Sequence, residues 1–178
     1  MLPPSEQDEG PAGIPRSLSG GAPDPVVAED LQLELAADWA APSIARDRFE
    51  RWLRDLSWPS GQSGDLVLAL SEAVSNGVEH GYQIPAGAGR QDLAAGTVQV
   101  CARVLVEADG RRRIALTVRD HGRWREPVAP ARFRGHGLSI IRACVDQFSI
   151  DAGPAGTILT LLTRAAPSPP DPRAAGCW

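Results

Sequence analysis

Three short stretches of the chain combine residue types that could handle a phosphorylated ligand. The first is Glu72-Ala73-Val74-Ser75-Asn76, continuing through Glu79-His80-Gly81-Tyr82. Residues four apart on a helix share a face. Glu72, Asn76 and either Glu79 or His80 therefore form one polar stripe on a helix whose other faces are apolar. A carboxylate beside a neutral amide suits a magnesium–phosphate site. The amide oxygen offers one metal ligand, phosphate oxygens and water supply others, and the carboxylate stays free to act as a base. The solvated face of an ordinary amphipathic helix would show the same letters.

The second stretch is Arg119-Asp120-His121-Gly122, where the strand pattern Ile114–Val118 gives way to a loop. An aspartate at a strand end can accept a hydrogen bond from an exocyclic amine, and glycine lets a ligand approach the backbone. A simple Asp-x-Gly turn reads the same way. The third is Gly135-His136-Gly137-Leu138, opening a helical pattern. Glycines there expose backbone N–H groups to an anion, and the helix dipole favours phosphate. Between 119 and 134 stand five arginines against two carboxylates, a cationic loop suited to covering a polyphosphate or to docking a protein.

Several elements must position these groups. Leu31, Leu33 and Leu35 alternate with polar neighbours and predict a half-buried strand. Pro42 suits a helix start, and Ala45, Phe49, Trp52, Leu53 and Leu56 follow at helical spacing. Trp58-Pro59-Ser60-Gly61 stops that helix. A second helix is predicted from about Ser63 to His80, with Leu66, Ala69, Leu70, Ala73 and Val74 on its apolar face. Val98 to Val106 and Ile114 to Val118 alternate around an Asp109-Gly110 turn, the signature of a β-hairpin. A third helix (about 137–146) and two strands, Phe148–Asp151 and Thr157–Thr163, complete the pattern. The order β-α-α-β-β-α-β-β predicts an α+β fold, a two-layer sandwich with helices on one face of a mixed, mainly antiparallel sheet.

Proline marks the expected boundaries. Residues 1–28 hold six of the 16 prolines and 165–178 hold four, so both ends read as disordered tails around a folded unit at 29–164. The 43% hydrophobic content of the 178 residues suffices for one core. The net charge of −4 argues against a protein that grips nucleic acid directly. No apolar run is long enough to span a membrane, and no secretory signal opens the chain. Cys101, Cys144 and Cys177 are odd in number and widely spaced, which fits a reducing cytoplasm and no disulfide framework. Other chemistries lack their motifs. There is no lysine for a Gly-Lys phosphate loop, no Gly-x-Gly-x-x-Gly after a strand, no paired Cys/His spacing for zinc, and no Gly-x-Ser-x-Gly elbow.

Together the three stretches resemble the ATP-binding domain shared by gyrase, chaperone, histidine-kinase and mismatch-repair ATPases (the GHKL or Bergerat fold). Glu72 to Asn76 with Glu79 to Tyr82 looks like the N-box of anti-sigma-factor serine kinases of the RsbW/SpoIIAB type. Asp120-His121-Gly122 and Gly135-His136-Gly137-Leu138 look like the two glycine boxes, and Gly156-Thr157 like the Gly-Thr before the final strand. The resemblance covers roughly 29–164. It implies that Glu72 is the general base toward a substrate serine and Asn76 a magnesium ligand, with His80 and Leu138 at the nucleotide. Asp120 would take the adenine amine, helped by Gly122 and Thr157, and Gly135 and Gly137 would hold phosphates under a lid at about 123–134. The implied cofactors are ATP and Mg2+. The implied partners are a STAS-type anti-anti-sigma protein and an RNA polymerase sigma factor, with a homodimer in keeping with the family.

The chain departs from the family pattern at two positions. Trp124 stands where the first box usually ends in glycine, and Phe133 where a lid arginine is expected, leaving Arg132 or Arg134 to reach the γ-phosphate. Two readings follow: a serine kinase that also sequesters a regulator, or a nucleotide-gated binding module with little or no kinase activity. Glu72 favours the first, because binding alone needs no base, and the altered lid favours the second. With no helical hairpin carrying a phosphoacceptor histidine ahead of the domain, a histidine kinase is not expected.

Overall fold

The computed structural model describes residues 24–25, 30–81, 96–122 and 136–169. Three helices, α1 (Ala41–Asp55), α2 (Ser60–Asn76) and α3 (Gly137–Cys144), lie on one face of a six-stranded sheet. The strands are β1 (Asp24–Pro25), β2 (Leu31–Ala36), β3 (Thr97–Val106), β4 (Arg112–Asp120), β5 (Gln147–Gly153) and β6 (Gly156–Leu162). Their order is β1-β3-β4-β6-β5, with β2 also paired to β3, and every pair is antiparallel. The α+β sandwich read from the sequence is therefore present, with a wholly antiparallel sheet among the described residues.

The register follows the apolar alternation. Val98, Val100, Ala102 and Val104 of β3 stand opposite Asp120, Val118, Leu116 and Ile114 of β4. All eight are buried. A slip of one residue would turn this whole set away from the helices, so burial specifies the pairing. Phe49, Leu53, Leu70, Ile114, Ile141 and Leu161 are almost fully enclosed. Burying each such side chain contributes about 1.5–3 kcal/mol. The central helix α2 packs on both α1 and α3.

Local chemistry explains the element ends. Asp38 Oδ1 accepts the backbone N–H groups of Ala40 (2.8 Å) and Ala41 (3.2 Å), capping α1, and Pro42 falls in its first turn. Ser57 takes φ 49°, and Trp58 N donates to Leu53 O (2.9 Å), so the chain reverses into α2. At its far end α2 does not run on as an α-helix to residue 80. It passes at Gly77 into a single π-helical turn, Gly77–Gly81. A Cβ on Gly77 would meet Val98 Cγ2 at 3.4 Å and Asp120 Cβ at 3.6 Å, so this small residue lets the helix end rest on β3 and β4.

Two stretches read as tails carry structure. Asp24 and Pro25 pair with Val106 and Leu105 of β3. Beyond residue 164, Ala166 exchanges backbone hydrogen bonds with Arg112 (2.8 and 2.7 Å) and is fully buried. The Arg112 guanidinium, itself 6% exposed, donates to Leu56 O (2.9 Å), Ser57 O (3.4 Å) and Pro167 O (3.2 Å). It also lies 5.1 Å from the centre of the Trp58 ring. Burial lowers the Arg112 pKa. The packed body thus extends past the proline-marked boundary, because one buried arginine ties the end of α1, the start of β4 and the C-terminal segment together.

The tryptophans in and beside α1 differ in burial. Trp58 is core, Trp52 is half-buried and stacked on Phe49 at 5.7 Å, and Trp39 is exposed.

Candidate nucleotide site

The site is built where α2, α3 and the ends of β4 and β6 converge. Glu72 and Asn76 lie one turn apart on α2, both half-buried. Gly137 is the first residue of α3. A Cβ placed on it would come within 2.9 Å of Glu72 Oε2 and 3.4 Å of both amide atoms of Asn76. Carboxylate, amide and helix N-terminus therefore meet at one spot. The N-cap residue His136 makes no side-chain cap to α3, and the first turn of that helix holds no acidic residue. Those N–H groups suit an anion.

A cleft open to solvent lies between Asn76 on α2 and the sheet. Asp120 and Thr157 also line it, and Ala73, Val118, Leu138, Ile150 and Leu159 form apolar walls. Apolar walls with a few convergent polar groups are the general form of a small-molecule site. Asp120 and Thr157 are directly opposite in the β4–β6 register. Both are buried, at 6% and 5% exposure. Burial is the main influence on the Asp120 carboxyl and raises its pKa. It is partly offset by hydrogen bonds from the Gly122 backbone, 2.9 Å from Oδ1, and from Thr157 N. The Thr157 hydroxyl faces the same carboxyl without closing a hydrogen bond of ordinary length.

Gly156 permits this arrangement. Its φ is +119°, and a Cβ there would lie 1.9 Å from Asp120 O and 2.7 Å from His121 Cα. Only a glycine lets the start of β6 lie this close across the end of β4.

Among the described residues, two buried polar atoms at the cleft have no partner: Asn76 Nδ2 and Thr157 Oγ1. Unpaired buried polar atoms are costly, and both would be satisfied by a polar ligand. Among the described residues no three His, Cys, Asp or Glu side chains cluster as a metal cage. A magnesium ion fits only as a shared guest, with Asn76 offering one oxygen and the ligand's own phosphates the rest.

The sequence-predicted residues thus divide into two groups. Glu72, Asn76, Gly137, Leu138, Asp120, Gly122 and Thr157 are brought together. Arg132, Arg134, Gly135 and the lid at 123–134 lie outside the described residues, as does the side chain of His80. Sequence reasoning missed Ile150, Leu159 and Val118 as walls and Gly77 as a packing point. Their signal was strand phase: each wall residue alternates onto the helix-covered face, which also carries Asp120 and Thr157.

The histidine kinase-like ATPase domain matches residues 35–163. The chain belongs to that family. Among solved structures it is similar to the RsbU and RsbW domains of a Mycobacterium tuberculosis protein, with 29% identity and TM-score 0.56 over 79% of this chain. It spans 34% of that protein's length. That likeness agrees with the RsbW-type resemblance of the sequence. A blue-light activated histidine kinase of Erythrobacter litoralis is 25% identical at TM-score 0.42, over 59% of this chain and 31% of its own. The SiaB–SiaC complex of Pseudomonas aeruginosa is 13% identical at TM-score 0.47, over 75% and 88%. Among the described residues no helix is long and apolar enough to cross a membrane.

Proposed function

We propose that this domain is an ATP-dependent protein serine kinase and anti-sigma factor. Its substrate would be a serine on a STAS-type anti-anti-sigma protein, and its second partner an RNA polymerase sigma factor, in a cytoplasmic setting. The observation that carries the reading is the convergence of Glu72 Oε2, Asn76 and the first residue of α3, with Asn76 also lining the cleft that holds Asp120. Binding alone would not call for a carboxylate at the phosphate end, where it repels the ligand. A base that takes a hydroxyl proton would.

Each residue has a task in this reading. Asp120 accepts the purine amine, and Gly122 N and Thr157 N hold its carboxylate in position. The walls Val118, Leu138 and Leu159 exclude water from the base. Asn76 offers its side-chain oxygen toward the metal, and the α3 N-terminus takes phosphate charge. Glu72 receives the proton of the serine hydroxyl as that oxygen becomes the nucleophile. Bound magnesium-ATP supplies the phosphoryl group and neutralises charge as it transfers.

Incubation with γ-32P-ATP, magnesium and a panel of STAS-domain proteins tests the reading. Label on serine that Glu72→Ala abolishes, with ATP still bound, is the expected result. Binding with no label on any panel member replaces the kinase with a nucleotide-gated module, in which ATP selects the partner that docks.

A further inference from the structure

We propose that Gly137 is a positioning residue for Glu72, its missing Cβ leaving the seat that holds the base carboxylate beside Asn76. The proposal rests on the kinase reading for what Glu72 does, and on geometry for where it sits. Two explanations for a glycine here can be separated. A glycine that serves a left-handed backbone has positive φ, and among the described glycines that holds for Gly110 and Gly156, not Gly137. Gly137 begins an ordinary α-helix, where alanine would be the better residue. What alanine would meet is side chain: Glu72 Oε2 at 2.9 Å and the Asn76 amide at 3.4 Å. The glycine is there for space.

The space has a direction. A methyl group on Gly137 would push against the ends of two flexible side chains, not against backbone. The fold would accept it, and the carboxylate would move by a fraction of an ångström or swing to another rotamer. Misplacement of a reacting group by about 1 Å can cost on the order of 100-fold in rate. Gly137→Ala should therefore act on turnover through Glu72. A glycine that served only as a phosphate contact would act on nucleotide affinity.

The test pairs two variants and two readouts. Gly137→Ala is expected to lower kcat for serine transfer by roughly 100-fold, a larger factor than any change in the Kd for magnesium-ADP. Glu72→Asp withdraws the carboxylate by one methylene. Adding Gly137→Ala to it should change kcat little further, since the two act through one contact. Weakened ADP binding with kcat intact overturns the proposal, as does full additivity. A second readout does not need transfer: the 13Cδ resonance of Glu72 should shift in Gly137→Ala, and the Gly137 amide resonance should shift in Glu72→Asp. Unmoved resonances overturn the positioning role. If wild type labels no STAS protein but the resonances move, the seat stands and the kinase reading fails. If Gly137→Ala does not fold, the Gly137 amide in Glu72→Asp decides.

Discussion

Replacing Asp120 by asparagine should loosen adenine binding and change which purine is preferred. The carboxylate is buried and held by Gly122 N at 2.9 Å. Asparagine is nearly isosteric, and its Oδ1 can keep the Gly122 bond. The remaining atom then becomes an N–H donor where a carboxylate oxygen accepted. Against the adenine 6-amine, itself a donor, this loses one hydrogen bond to a charged acceptor, worth about 1.5–3 kcal/mol. At 1.4 kcal/mol per tenfold, magnesium-ADP should bind roughly 10–100-fold more weakly. Inosine diphosphate carries an acceptor in place of the amine, so it should lose far less or gain. Isothermal titration of both nucleotides into both proteins reads the ratio directly. Equal weakening of the two, or an ADP affinity retained within about threefold, would refute the placement of Asp120 against the base.

The same substitution should change how stability depends on pH. Because burial raises the Asp120 pKa, folding disfavours its ionised form. The stability tied to this group is fully present below the unfolded carboxyl pKa and is lost as pH rises through the folded one. Wild-type stability should therefore fall as pH rises from about 4, and in urea unfolding Asp120→Asn should lose that part of the pH dependence. An unchanged pH profile counts against the burial of this carboxyl.

Other expectations follow from single contacts. Gly156→Ala meets backbone at 1.9 Å and a φ of +119°, so it should cost roughly 2 kcal/mol or more in urea unfolding; a loss under about 0.5 kcal/mol counts against the close β4–β6 approach. Asn76→Ala removes an amide whose Nδ2 has no partner, so stability should hardly change while magnesium-dependent ATP binding weakens by about tenfold. Arg112→Ala removes three backbone contacts and the cover over Trp58, and should cost about 2–4 kcal/mol without altering ADP affinity.

The sequence showed the hairpin of β3 and β4 clearly, because Val98 to Val104 and Ile114 to Val118 alternate and a one-residue slip has no second solution. It showed Glu72 and Asn76 as neighbours, because four-residue spacing on a helix is local geometry. It could not place Gly137 against them, since those contacts join residues 65 and 61 positions apart in the chain and depend on how α3 packs on α2. Asp120-x-Gly122 was ambiguous for a physical reason: it is the turn, with Gly122 N bonded to Oδ1, and it is also the buried carboxyl of the cleft. The C-terminal segment misled because its prolines mark loops, whereas Ala166 is held by backbone bonds that leave little trace in residue type. The trace lay elsewhere. Arg112 falls in the apolar phase of β4, where an arginine needs partners.

The central claim is that a purine nucleotide occupies the cleft between Asn76 and Asp120. Thermal unfolding with and without magnesium-ATP tests it most directly. At about 100 times its Kd a ligand that binds only the folded chain adds about 2.7 kcal/mol, which for a domain of this size raises Tm by roughly 5–10 °C. That rise, reduced in Asp120→Asn, is the result expected. A Tm indifferent to millimolar magnesium-ATP would contradict the account.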